Sequence, residues 1–159
     1  MKTVICIPGS YDPVTLGHLS LIEKAAGMAD LVYAAIFINP DKHYRFSLDD
    51  RLVLLKQACS HLPNVTVVSD SGTVADFSKR HGVTFLLKGI RNETDFLYER
   101  EMADINRSRG VETLLLPADP SLREVSSSEV RRRLDAGQAQ SGFLPSEIEA
   151  YLKTLSDKS

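Results

Sequence analysis

Apolar residues in this chain gather in short runs with little alternation, separated by stretches in which they recur every three or four positions. The runs are Thr3 to Ile7, Leu31 to Ile38, Asn64 to Val68, Val83 to Leu87 and Glu112 to Leu116. Their Val, Ile and Leu content predicts strands buried on both faces. Turn-forming residues close four of them: Pro8-Gly9, Asn39-Pro40, Lys88-Gly89 and Pro117. The intervening segments predict helices over Gly17 to Met28, Leu48 to Ser60, Thr73 to His81, Thr94 to Arg109 and Ser127 to Asp135. A last helix begins at Pro145, with Ile148, Tyr151, Leu152 and Leu155 on one stripe. Ser47 is placed to cap the second helix, and Gly82 and Gly110 to stop the third and fourth.

Strands alternating with helices of this length predict an α/β fold, with a parallel five-stranded sheet covered on both faces. Right-handed crossovers favour a Rossmann-like, doubly wound sheet with strand order 3-2-1-4-5. In that order the winding reverses between strands 1 and 4, and ligands bind beyond the strand ends at such a reversal. The ends that meet there are Pro8-Gly9-Ser10 and Lys88-Gly89-Ile90-Arg91.

Composition narrows the function. The 159 residues suit one domain over the whole chain, 1–159, and 43% hydrophobic with 25% charged residues is ordinary for a globular protein. Nineteen basic against 21 acidic residues leave a net charge of −2, which excludes nucleic-acid binding by bulk positive charge. Cys6 and Cys59 form neither a CxxC motif nor a disulfide framework, and no apolar run has the length of a membrane span. The expectation is a cytoplasmic protein with neither nucleic-acid nor membrane partners.

The chemistry concentrates at the reversal. Gly9-Ser10-Tyr11-Asp12-Pro13-Val14-Thr15-Leu16-Gly17-His18 follows the first strand and opens the first helix. Gly9 allows close backbone approach, and the helix start favours an anion. A lone histidine is most often an ordinary surface residue; His18 stands out because it ends a contiguous string at the predicted crevice. Lys42 follows the second strand, and Lys88 and Arg91 flank the fourth strand's end, a pattern of cations that suits phosphates. Ser126-Ser127-Ser128 supplies one helix cap and further hydroxyls for an anion. Glu99 falls on the fourth helix near Arg91, where it would order the arginine or accept from a ribose. Of Arg131-Arg132-Arg133, helical spacing aims only Arg131 at the site. His43, His61 and His81 read as surface residues, and no His, Cys and carboxylate set has metal-ligand spacing.

The string GSYDPVTLGH resembles the HxGH-type signature of the nucleotidylyltransferases, in the form G[TS][FY]DP-x-T-x-GH found in the phosphopantetheine adenylyltransferase family. Asn39-Pro40-Asp41-Lys42 with Phe46-Ser47 and Asp50-Arg51, then Lys88-Gly89-Ile90-Arg91 through Asn106-Arg107, then Val125-Ser126-Ser127-Ser128 to Arg131, and Phe143-Leu144-Pro145 are similar to further segments of that family. The resemblance covers nearly the whole chain. It implies a nucleotidylyltransferase fold and transfer of AMP from ATP, with Mg²⁺ accompanying the ATP, to 4′-phosphopantetheine. It also implies a homohexamer built as a dimer of trimers.

By the same resemblance, His18 and Lys42 would be catalytic. Ser10, Lys42, Val74 and Lys88 would face the acceptor. Ser10, Tyr11, His18, Gly89, Ile90, Arg91, Glu99, Leu122, Arg123, Glu124, Val125, Ser126, Ser127 and Ser128 would face ATP. Two positions depart from the family. Lys88 stands where arginine is commoner, and Ser121-Leu122-Arg123-Glu124 lacks an aromatic often found there. Two alternatives stay open: a related enzyme with another phosphorylated acceptor, such as nicotinamide mononucleotide, and a nucleotide-binding regulator without turnover.

Overall fold

The computed structural model describes residues 1–156, so the last three residues of the expected 1–159 domain lie outside the described residues. Strands β1 (Val4–Gly9), β2 (Leu31–Phe37), β3 (Val65–Asp70), β4 (Phe85–Ile90) and β5 (Glu112–Pro117) alternate with helices α1 (Leu16–Met28), α2 (Leu48–Ala58), α3 (Val74–Arg80) and α4 (Glu93–Ser108). A 3-10 turn at Pro120–Leu122 then leads to α5 (Ser127–Asp135) and α6 (Ser146–Ser156). The sheet is parallel throughout, in the expected order β3-β2-β1-β4-β5.

Alternate residues of the central strands feed two cores. Ile5, Ile7, Val32, Ala34, Ile36 and Leu87 pack with α1, α2 and α6 through Ile22, Leu54, Leu55 and Ile148. Cys6, Ala35 and Leu86 face the other way, onto Ala75 and Phe77 of α3. This two-sided burial is the reason the strands read as unbroken apolar runs. Side-chain caps start α1, α2, α3, α4 and α5 at Thr15, Ser47, Thr73, Asn92 and Ser126. Gly82 and Gly110 follow the ends of α3 and α4 with φ of +63° and +96°, a backbone region that disfavours other residues.

Strands β1, β3 and β4 run two or three residues beyond their predicted ends, to Gly9, Asp70 and Ile90. Proline and glycine predict stops after Ile7 and Leu87, but pairing with neighbours overrides local preference: Pro8 and Gly9 pair with Ala35 and Ile36, and Gly89 with Leu116. The ladder between β1 and β4 is different. It joins only Ile5 to Phe85 and Cys6 to Leu86, then the strands part. Pro8, which has no N–H, lies in the stretch of β1 paired to β2 alone. The functional crevice opens where these two strands separate.

Candidate active site

The segment from Gly9 to His18 is shaped by its own side chains. Tyr11 has φ of +49°, an uncommon backbone state for a non-glycine residue. It is held by burial and by its phenol, which donates to the Ile7 carbonyl at 2.7 Å. The ring lies against Gly9, where an added Cβ would sit 3.3 Å from it. Asp12, only 3% exposed, accepts from the N–H groups of Arg45 and Phe46 at 2.8 and 2.9 Å. The loop after β2 is thereby fastened to the loop after β1. Arg131 of α5 donates to the Asp12 carbonyl at 2.9 Å, and the Ser127 hydroxyl to the Pro13 carbonyl at 2.8 Å. These bonds bring the N-terminus of α5 beside that of α1.

His18 occupies the third position of α1 and forms a reciprocal capping pair with Thr15. The His18 N–H donates to the Thr15 hydroxyl at 3.3 Å, and the Thr15 N–H donates to His18 Nδ1 at 3.0 Å. An accepting Nδ1 leaves the ring proton on Nε2, where it is a donor. Burial, with help from the Lys88 and Arg91 cations, lowers the His18 pKa from 6.5 to about 4. The imidazole is therefore a neutral donor at pH 7.

This has a measurable consequence. Because the folded pKa is below the unfolded one, the neutral ring's contribution to stability is complete above about 6.5 and is lost as pH falls through about 4. In an NMR titration of the free protein, His18 should protonate near 4 with the proton on Nε2 throughout neutral pH. A midpoint near 6.5 would contradict the assignment.

The crevice between the parted strands encloses about 570 Å³. Ser10, Tyr11, His18, Lys42, Lys88, Gly89, Arg91, Glu99, Leu122, Val125 and Ser126 to Ser128 all line it. Of the residues expected there, Ile90 is half-buried outside the lining, and Arg123 and Glu124 are exposed away from it. The 3-10 turn and the chain after it bring Leu122 and Val125 inward and turn the two charged residues between them to solvent. Val74 lines a second hollow of about 220 Å³, which shares Ser10, Lys88 and Glu99 with the first.

The charges pair differently from the expectation. Glu99 faces Lys88 at 3.6 Å, while Arg91 pairs with Asp95 at 3.2 Å on the first turn of α4. One helical turn separates Asp95 from Glu99, so the nearer carboxylate takes the arginine. Arg131 lines the crevice, whereas Arg132 and Arg133 both turn to Glu129. Lys42 donates to the Ser10 hydroxyl at 3.4 Å across the mouth. His43, His61 and His81 are exposed.

Asp12, Arg51 and Asp95 lie within the motif segments, and the sequence alone assigns them no role. For Arg51 a signal existed: residues 51, 54, 55 and 58 form the buried stripe of α2, so a charge occupies an apolar position. For Asp12 the signal was absent, since its partners lie more than thirty residues away.

The crevice at the sheet reversal gathers two helix N-termini with Lys42, Lys88, Arg91 and Arg131, an arrangement that favours anions. The family model described as Cytidylyltransferase-like matches residues 6–133, from within β1 to within α5. The chain belongs to this family, within the nucleotidylyltransferase superfamily, and is a nucleotidyltransferase of α/β Rossmann-like fold. No helix among the described residues is long and apolar enough to cross a membrane.

Proposed function

We propose that this nucleotidyltransferase moves AMP from ATP to 4′-phosphopantetheine, giving 3′-dephospho-coenzyme A and pyrophosphate. The observation that carries the reading is the pair of hollows meeting at Ser10, Lys88 and Glu99. The larger has the helix N-termini and most of the cations, as a nucleoside triphosphate requires. The smaller is walled by Phe37, Val74, Leu86 and Met102, and Asn106 and Thr113 add polar groups to the shared Ser10, Lys88, Tyr98 and Glu99. The Thr113 hydroxyl has no hydrogen-bond partner among the described residues. A narrow apolar slot with a few amide-matching groups suits an extended pantetheine arm better than a ribose and a flat charged ring.

The acceptor phosphate would rest between Lys42 and Ser10. One of its oxygens attacks the α-phosphorus of ATP, the bond from that phosphorus to the bridging oxygen breaks, and pyrophosphate leaves. The acceptor is already an anion, so no general base is needed. The protein's contribution is positioning and charge stabilisation, with His18 Nε2–H and the α1 amides on the α-phosphate. Arg91 and the start of α5 would hold the departing pyrophosphate. Among the described residues no three His, Cys, Asp or Glu side chains form a metal cage. Mg²⁺ would enter with ATP, as part of the substrate.

The expected hexamer belongs to the same reading. Helix α4 contains no buried residue, and Phe96, Leu97, Tyr98 and Ile105 are exposed on it, with Leu114 of β5 beside them. Copies of the chain would cover this face, which sedimentation can measure.

The assay is pyrophosphate release from ATP and Mg²⁺ over a panel of phosphorylated acceptors. Release with phosphopantetheine alone supports the reading. Release with nicotinamide mononucleotide selects that acceptor, and ATP binding without release selects a regulator. Arg91 lines only the larger hollow, whereas Lys88 lines both. Arg91→Ala should raise the Michaelis constant for ATP about tenfold, and Lys88→Ala that for the acceptor, roughly 1.4 kcal/mol each. Equal effects of both variants on one substrate would refute the division.

A further inference from the structure

Arg51 is the one buried cation among the described residues, 3% exposed. None of the ion pairs of the described residues includes it. Removing a guanidinium from water without a carboxylate is costly, so its remaining partners matter. Its Nε–H donates to the Phe46 carbonyl at 3.2 Å, and an Nη–H donates to the Ser10 carbonyl at 3.0 Å. Its Cζ lies over the Tyr44 ring, 3.9 Å from the ring centre. The Tyr44 hydroxyl in turn accepts from the Asn39 N–H at 3.1 Å.

These contacts join two loops. One is the turn after β1, which carries Ser10. The other runs from Asn39 to Phe46 and carries Lys42. Among the described residues the exposed Lys42 ammonium reaches the Ser10 hydroxyl, at 3.4 Å, and the Tyr44 ring, at 5.5 Å. Both contacts are long, so its place follows that of the loop backbone, which Arg51 grips at Phe46 while holding the facing turn at Ser10.

We propose that Arg51 is a positioning residue for the acceptor phosphate: by bridging the Ser10 and Phe46 carbonyls and stacking on Tyr44, it sets the Ser10 hydroxyl and the Lys42 ammonium at the spacing that one phosphate spans. This rests on the acceptor reading given above. A neutral side chain would fill the space, but it would release the two carbonyls, leaving the Asp12 bonds and the long Lys42–Ser10 contact as the hydrogen bonds that join the two loops among the described residues. The acceptor subsite would then loosen while the ATP side, built on α1 and α5, stayed intact.

The test uses the full chain with Arg51→Met and Arg51→Lys. Folding is checked by circular dichroism and thermal unfolding, and each substrate is titrated at saturation of the other. Arg51→Met should raise the acceptor Michaelis constant by about tenfold or more, with the ATP constant changed by less than about threefold. Arg51→Lys should recover part of the loss, since an ammonium keeps the charge but cannot fork to both carbonyls. Without substrates, the amides of residues 39–46 should exchange faster in both variants.

Parallel losses for both substrates, or faster exchange with an unchanged acceptor constant, would make Arg51 a mere buttress and overturn the proposal. If Arg51→Met does not fold, Tyr44→Leu removes the ring and leaves both carbonyl bonds. It should give a smaller rise confined to the acceptor, and no rise overturns the proposal. Should the unaltered protein turn over a different phosphorylated acceptor, the acceptor assigned above is wrong. The same variants are then titrated with that acceptor, and a selective rise in its constant still supports Arg51 in this role.

Discussion

Replacing His18 with alanine is expected to lower turnover by at least about a hundredfold while changing ATP affinity much less. Loss of one preorganised donor to a developing negative charge typically costs about 3 kcal/mol in the transition state. His18 is suited to that work by its capping pair with Thr15, which holds the ring at Nδ1 and leaves Nε2–H free. Its low pKa means that it donates without first binding a proton from solvent. His18→Asn keeps a donor on a shorter side chain and should retain part of the rate. Single-turnover measurements at saturating ATP separate the two effects. Equal losses in binding and turnover would make His18 a ground-state contact.

Asp12→Ala should be the most destabilising change near the site. The carboxylate accepts from two backbone donors, and Arg131 approaches it at 3.9 Å. Bonds to a charged group contribute about 1.5 to 3 kcal/mol, and buried donors left unpaired carry their own penalty, so a loss of about 3 to 4 kcal/mol is expected. With a urea slope of about 2 kcal/mol/M, the midpoint should fall by roughly 1.5 to 2 M. Asp12→Asn would present an amide N–H to one of the two backbone donors and should recover less than half of the loss. An unchanged midpoint for Asp12→Ala would show that water replaces the carboxylate without cost. Activity of the folded fraction should also fall, because the Lys42 loop loses its hold at Arg45 and Phe46.

Helix α5 occupies its predicted span, Ser127 to Asp135, because the serine cap and the glycine after its end are local signals. Helix α4 also follows its pattern, yet its apolar residues meet solvent rather than a core, since periodicity reports which residues share a face and not what covers it. The 3-10 turn at Pro120–Leu122 had no predicted counterpart; three residues are too few to show a period. Glu99 lines the crevice but faces Lys88 rather than ordering Arg91, because the two cations lie three residues apart at the end of β4 and only side-chain directions separate them.

By itself the sequence determined the sheet, its order and the place of the crevice. Apolar runs without alternation must be buried on both faces, and the handedness of crossovers leaves one sensible winding, whose reversal marks the crevice. Only the tertiary structure decided how that site is assembled. The separation of β1 from β4 beyond Cys6, the tautomer of His18, the turning of Arg51 into the wall and the division into two hollows depend on contacts that no local pattern encodes. Arg51 meets Ser10 across 41 positions, and Arg131 meets Asp12 across 119. Such contacts are chosen by packing and by the need to satisfy buried polar groups, and both act only once the chain has folded.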